Sequence, residues 1–406
     1  MQISYSAVTF RAFLSPAMKK IKLKHTHQAT NTDQQEEEHD NQFDIFQLPN
    51  YIILEILSRI PIKSLIQCRS VCKSWRHSLS DSHFTKSLFS QTPTCILLQN
   101  SSTINPKSPR LFLIDLDKAS GRNDVVIRLP KDPNVPTRGV QVVGSCNGLL
   151  CVYDRLNCGQ LYISNPIIGE SLTLPAPSME IDYQFVCGFG FCPSNEVYKV
   201  VVVTSPSEGT DHGELKVLTV GSGVWRSIGN CVYHFGYQPY GVYLNGVLHW
   251  IVQTSEGSVS ICAFDVENES FRELPPPPCC LKKCVISIGV LEGWLSVFVR
   301  SGSNINVWMM KDYGVEESWT KELVVKEKSS GMIGKLFGHW TRSSSAAQVL
   351  KFTKKGQVLL LDKYKLHVYT PGKRGFVPLE IDGVPYMVEA FAHIPSFISL
   401  ANALRG

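Results

Sequence analysis

The sequence predicts α and β structure in separate domains, a small helical module followed by a large all-β domain of six repeat units. Three observations carry the prediction. An apolar stripe at helical spacing, cut by prolines, occupies residues 46 to 89. After Phe89 the pattern turns to alternating, strand-length Val/Ile/Leu/Phe/Tyr runs bounded by Gly, Asn, Asp, Ser and Pro. A Gly-led turn, two strands and a Leu or Leu-Pro ending then recur along the chain.

In the helical stretch, Leu48, Ile52, Ile53, Ile56, Leu57 and Ile60 form one broad stripe, with Asn50, Glu55, Ser58 and Arg59 mostly on the other face. Pro49 suits the first turn, where a missing N–H costs nothing, and Pro61 ends the helix. Two shorter helical pieces follow, carrying Leu65, Ile66, Cys68 and Val71, then Cys72, Trp75 and Leu79, and Asp81-Ser82 marks the next break. A segment of roughly 40 residues is near the lower limit of independent folding, so this much apolar surface implies a partner.

The repeat units carry the second prediction. Four are plain: NGLLCVYD to LTLP (147–175), NGVLHWIV to FRELP (245–275), EGWLSVFV to WTKEL (292–323) and KGQVLLLD to FVPL (355–379). Two weaker copies end at Pro130 and near Ile228. Unit ends at Leu129, Leu174, Ile228, Leu274, Leu323 and Leu379 are 45, 54, 46, 49 and 56 residues apart. That spacing is the size of a four-stranded propeller blade, so six units would close into a ring, with the tail around Val388 to Leu400 pairing with an early strand. A β-sandwich or two stacked barrels would also produce regular short strands.

Composition excludes several classes. At 406 residues and 43% hydrophobic content the chain can bury a sizeable core, and a net charge of +5 with no long basic block in the folded part gives no nucleic-acid surface. Thirteen cysteines at irregular spacing, mostly flanked by apolar residues, read as reduced buried thiols. Cys279, Cys280 and Cys284 lack the paired spacing of a zinc site. Residues 1–45 hold a base-rich, acid-free stretch and then an acid-rich, base-free one, and read as a disordered tail. No run of 18 apolar residues exists, so no membrane partner is expected.

The helical stretch resembles the F-box, on the motifs Leu48-Pro49, Ile56-Leu57-Ser58-Arg59-Ile60-Pro61 and Val71-Cys72-Lys73-Ser74-Trp75. The β region, from about 95 to 400, is similar to the F-box-associated, kelch-like domains of plants through SCNGLLC (145–151), NPIIGESLTLP (165–175) and LNGVLHW (244–250). These resemblances divide the chain into a tail (1–45), an F-box (46–90) and a kelch-like β-propeller (95–400). They imply a substrate receptor of a cullin-RING ubiquitin ligase, docked on a Skp-type adaptor and through it on cullin, in the cytoplasm or nucleus. The adaptor contacts implied are Leu48, Pro49, Ile53, Ile56, Leu57, Ile60, Pro61, Leu65, Val71, Cys72 and Trp75, with Trp75 as a hot spot.

Capture of an unknown protein substrate is expected from aromatic loops, at Tyr237 and Tyr240 and at Phe337, His339, Trp340 and Arg342. Any single one of these aromatics could instead pack between blades, and Trp225, Trp250, Trp294, Trp308 and Trp319 read as blade core. The rivals are a propeller enzyme and an adaptor-binding scaffold outside any ligase. Against the enzyme, HExxH and GxSxG are absent, GFGF (188–191) lacks the third glycine of a phosphate loop, and His212, His234, His249 and His339 are singletons. No catalytic residue, metal or cofactor is assigned.

Overall fold

Proline and aspartate set the helix limits of the N-terminal part. The structure is a computed structural model that describes residues 49–58, 60–69, 73–100, 111–114, 126–129, 132–136, 139–157, 159–177, 186–203, 213–235, 238–253, 258–278, 285–301, 304–326, 348–353, 356–362, 364–373, 375–384 and 388–404. The chain divides into two units, Met1–Gln91 and Thr92–Gly406. In the first, α1 (Asn50–Ser58) starts directly after Pro49, whose carbonyl accepts the Ile52 N–H at 2.9 Å. Pro61, extended at ψ 144°, precedes α2 (Ile62–Cys68) and its carbonyl accepts the N–H groups of Ser64 and Leu65. After α3 (Lys73–Leu79), Asp81 opens a fourth helix, α4 (Ser82–Gln91), by accepting the Phe84 N–H on its side chain at 2.9 Å. The sequence pattern marked that point only as a break. Leu57, Leu65, Trp75, Leu79, Phe84 and Leu88 are buried.

The second unit is a ring of six sheets. Blade 1 holds β1 (Cys95–Asn100), β2 (Leu111–Ile114) and β3 (Val126–Arg128). Blade 2 is β4 (Val140–Cys146), β5 (Leu149–Asp154), β6 (Gln160–Asn165) and β7 (Glu170–Thr173), and blade 3 is β8 (Val186–Cys192), β9 (Val197–Val203), β10 (Gly213–Thr219) and β11 (Trp225–Cys231). In blade 4 the inner strand is split into β12 (His234–Phe235) and β13 (Val242–Leu244), followed by β14 (Val247–Gln253), β15 (Val259–Asp265) and β16 (Ser270–Leu274). Blade 5 is β17 (Val285–Leu291), β18 (Trp294–Ser301), β19 (Asn304–Met310) and β20 (Trp319–Lys326). Blade 6 is β21 (Gln348–Phe352), β22 (Val358–Asp362), β23 (Lys365–Tyr369) and β24 (Phe376–Pro378). The last strand, β25 (Val388–His393), returns to blade 1 and pairs antiparallel with β1 from Cys95↔His393 to Asn100↔Val388. The closure read from the tail therefore occurs. Beyond His393 the tail is not strand, and it ends in a helical turn, α5 (Leu400–Ala403).

The repeat signature has physical causes at each end. Asn147-Gly148, Asn245-Gly246 and Glu292-Gly293 all have positive φ at both positions, the type I′ geometry that matches the twist of a two-residue hairpin. At the other end, the leucines of Leu174-Pro175 and Leu274-Pro275 are buried, while the proline carbonyls accept the indole N–H of Trp225 and Trp319 from the following blade, each at 2.9 Å. The core lies between blades. Trp250, Phe264 and Leu248 of blade 4, for example, pack against Val201, Val203 and Val217 of blade 3. Middle strands such as β5 are buried at every position, because a neighbour covers each face. The alternation expected from the sequence is accordingly lost there.

Polar bonds join the blades as well. Gln99 of β1 spans the backbone of β4, donating to the Val140 carbonyl at 2.7 Å and accepting the Val142 N–H at 3.0 Å. Lys199 of β9 reaches Glu269 of the β15–β16 turn at 2.8 Å, Arg300 of β18 reaches Asp362 of β22 at 3.1 Å, and Lys351 of β21 donates to the Thr94 carbonyl at 3.0 Å. The C-terminal tail adds a second closure: Asn165 donates to the carbonyls of Ser396 and Ile398, and the Leu400 N–H donates to Glu170. Leu400 and Ala403 enter the core between blades 2 and 3.

Gly148 tests that second closure, because it combines φ +81° with a position where a Cβ would collide with Ser396, whereas Gly293 has φ +83° and open space. Gly148→Ala is expected to cost about 3 kcal/mol, backbone strain plus overpacking, and Gly293→Ala about 1 kcal/mol of strain alone. Denaturant titrations giving equal losses would rule out the tail's pressure on this turn.

Candidate functional site

In a propeller built this way the innermost strands of all blades start at the same end of the ring, and that end collects polar side chains. Gln141 comes from the start of β4, Ser287 from β17, Gln348 from β21 and Glu389 from β25. The segment between β12 and β13 joins them: Tyr240 donates to Gln141 at 2.8 Å, and Gln238 spans the β17 backbone, donating to the Ile288 carbonyl at 3.2 Å and accepting its N–H at 3.0 Å. Backbone bonds of Cys187 to Pro239 and Gly241 hold this segment against β8. Together these residues line a cavity of about 210 Å³ at the mouth of the central channel.

Gly188 explains how the split strand fits. A Cβ there would meet the Trp250 ring at 2.7 Å, so the glycine lets β8 approach blade 4. The GFGF run is thus a strand packed between blades, as its sequence context indicates.

Among the predicted substrate contacts, Tyr240 is half-buried in the channel wall. Burial, the larger influence, pushes its phenol above the ordinary value, while the Arg155 charge pulls it down. Tyr237, Phe337, His339, Trp340 and Arg342 lie outside the described residues. Tyr233 and Phe235 pack edge-on against Phe271 and Trp250, so these loop aromatics fill blade contacts. Of the tryptophans read as core, Trp250 and Trp319 are buried and Trp225 and Trp308 partly so. Trp294 corrects that reading. It is 39% exposed, because it follows the tight Glu292-Gly293 turn at the rim, and the Lys311 ammonium sits 4.1 Å from its ring centroid.

The predicted adaptor contacts separate by burial. Pro49 and Pro61 are exposed and Ile56 is partly buried, whereas Leu57, Ile60, Leu65 and Trp75 are buried. Those four side chains are buried in this conformation. Leu48, Val71 and Cys72 lie outside the described residues, as does the side chain of Ile53. Tyr51, 71% exposed beside Pro49, is an apolar surface residue that the stripe did not single out.

Side chains capable of chemistry are placed structurally. The Nδ1 of His249 faces the Val242 carbonyl at 3.1 Å and must donate, so Nε2 accepts from the Tyr313 hydroxyl at 2.7 Å. Ser145 lies 3.0 Å from His393 Nδ1, but the His393 Nε2 has no hydrogen-bond partner among the described residues and therefore no orienting carboxylate there. All eight cysteines among the described residues are buried and none forms a disulfide. Burial pushes the Cys68 thiol up to about 11, away from thiolate chemistry. Cys158, Cys279, Cys280 and Cys284 are outside the described residues. Among the described residues no group of three His, Cys, Asp or Glu side chains is arranged to hold a metal, and no helix is long and apolar enough to cross a membrane.

Fold and site together define a class: a closed six-bladed β-propeller preceded by a short helical unit. Sequence comparison refines it. Residues 107–391 match the family model described as the F-box associated beta propeller domain, and residues 45–87 match the F-box domain. From Arabidopsis thaliana, the F-box protein At3g07870 is 31% identical over 381 residues, covering 85% of this chain and 90% of its own length. The F-box/kelch-repeat protein At3g23880 is 33% identical over 300 residues, covering 68% and 79%, and F-box protein CPR1 is 29% identical over 320, covering 70% and 74%. Among solved structures, the SapL1 lectin aligns over 71% of this chain and 96% of its own, at a TM-score of 0.37 and 11% identity. The chain belongs to the plant F-box proteins that carry an F-box-associated β-propeller.

The two buried histidines make a measurable prediction. Burial is the main cause that pushes His249 and His393 from 6.5 to about 4. The unfolded chain therefore takes up protons between pH 6.5 and 4 that the fold excludes, so stability is full above pH 6.5, falls with acidification and levels off below about 4. Each histidine contributes a slope of up to about 1.4 kcal/mol per pH unit in that window. Denaturation midpoints of the intact chain should follow this slope, and His393→Gln should reduce it by one proton's share. An unchanged slope in the variant would contradict the neutral buried state.

Proposed function

We propose that this protein is the substrate-recognition subunit of an SCF-type cullin-RING ubiquitin ligase. The F-box docks on a Skp-type adaptor, and through it on cullin, and the propeller captures a protein for ubiquitination and degradation. The observation that carries the reading is the covalent pairing of an F-box match at residues 45–87 with a closed propeller. The ring supplies a stiff platform, and its inter-blade loops are left to vary.

On this reading the chain performs no bond-making step. A conjugating enzyme elsewhere in the assembly carries the reactive thioester, and this chain raises the effective concentration of substrate lysines beside it. Within the F-box, exposed Pro49 and Pro61 and the partly buried Ile56 are the surface a partner meets, and the F-box motif adds Leu48 to the contacts. Leu57, Ile60, Leu65 and Trp75 act one step behind, by holding the helices that present that surface. The protein works in the cytoplasm or nucleus, where reduced buried thiols persist.

The test is affinity purification of the intact chain beside a Leu48→Ala/Pro49→Ala variant, with mass spectrometry of the bound proteins. Adaptor and cullin are expected with the intact chain alone, and substrate proteins with both forms. Circular dichroism should show the same β signal and melting for each. Adaptor missing from the intact chain, or retained by the variant, would refute the assignment.

A further inference from the structure

We propose that the channel mouth is an anchor pocket for one cationic side chain, arginine or lysine, of the captured protein. The inference rests on the receptor reading and adds the chemistry of what is received. It starts from size. A cavity of about 210 Å³ is far larger than the ~10–15 Å³ that a single water needs, yet below the roughly 300–1,000 Å³ of pockets that enclose a drug-sized ligand. It suits a single long side chain entering from the loop face.

The lining fixes the sign of the charge. Glu389 is the only Asp, Glu, Lys, Arg or His among the lining residues. Its carboxyl has no hydrogen bond among the described residues, and burial raises its protonation range while Arg155 draws it the other way. Arg155 is exposed on the β5–β6 turn and makes no hydrogen bond to Glu389. The neighbouring polar groups are already committed: Gln238 is held by the Ile288 backbone and Gln141 accepts from Tyr240. Gln348, on β21 of the adjoining blade, also lines the cavity; its amide has no hydrogen bond among the described residues either and offers a second acceptor oxygen.

An entering guanidinium or ammonium group would bring donors alone, which is what a carboxylate and an amide oxygen lack. Tyr240 and Phe391 are among the lining residues, aromatic groups of the kind on which a guanidinium stacks. Glu389 itself is fixed on β25, where it pairs with Gln99 of β1. The carboxyl is therefore carried by the same strand that closes the ring.

The experiment uses the full chain and four probes: acetyl-Gly-Gly-Arg-Gly-Gly-amide, its Lys counterpart, the same peptide with citrulline in place of arginine, and agmatine. Isothermal titration should show saturable binding of both cationic peptides. The uncharged citrulline peptide should bind about tenfold weaker or worse, the scale of a lost charge-assisted hydrogen bond. Glu389→Gln, which preserves size, should erase the difference while its melting curve stays that of the parent. No binding of either cationic peptide, equal binding of the citrulline peptide, or a preference that survives Glu389→Gln would overturn the proposal. Agmatine binding as tightly as the arginine peptide would overturn the assignment to a protein side chain, since a free small amine would then suffice. Adaptor co-purification is read on the same Glu389→Gln chain and should match the parent. Loss of adaptor from the parent marks failure of the receptor reading, whereas normal adaptor binding without cation preference marks failure of this one.

Discussion

The pairing of β25 with β1 is the contact on which the rest of the structure depends. It joins residues 388–393 to residues 95–100, nearly opposite ends of the propeller unit, through six register pairs. Bringing such distant segments together costs loop-closure entropy that grows only slowly with chain length, so one well-paired strand can offset it. The gain extends beyond that strand's own hydrogen bonds. Each blade is apolar on two faces and needs both neighbours, and an open arc would leave two such faces and two unpaired edges in water.

The same constraint explains why the blades are joined by unlike devices. Gln99 and Gln238 clamp backbone across a junction, Trp225 and Trp319 donate to proline carbonyls, and Lys199 with Arg226 holds Glu269. Burial alone would raise the Glu269 carboxyl, yet the two cations hold it below its ordinary range. Inter-blade surfaces bury polar strand ends along with apolar middles, and each buried donor or acceptor left unmet costs about 1–3 kcal/mol. The staples meet several of these groups where a blade edge brings a polar side chain under its neighbour.

The channel mouth is a product of that geometry. Six inner strands starting at one end set their first side chains in a ring, whatever those residues are. The split inner strand of blade 4 adds Gln238 and Tyr240, which narrow the opening from one side. A stiff frame with a variable rim suits a family in which the scaffold is shared and the partner differs.

Local patterns determined much by themselves. Leu-Pro and Asn-Gly punctuation, unit lengths and helix breakers were legible in sequence because they report on short-range backbone geometry: φ > 0 turns, proline's missing donor, a side-chain cap. The six-unit count followed from those marks alone. What only the tertiary structure decided was which side chains share a surface. Leu57, Ile60, Leu65 and Trp75 are buried in this conformation, and Trp294 read as core and is rim. Glu389, Gln141, Gln348 and Ser287 were not singled out, since they are scattered over some 250 residues with no motif between them. Helical and strand periodicity tell which way a residue faces on its own element, but the partner surface is set by long-range closure, and no local window contains that information.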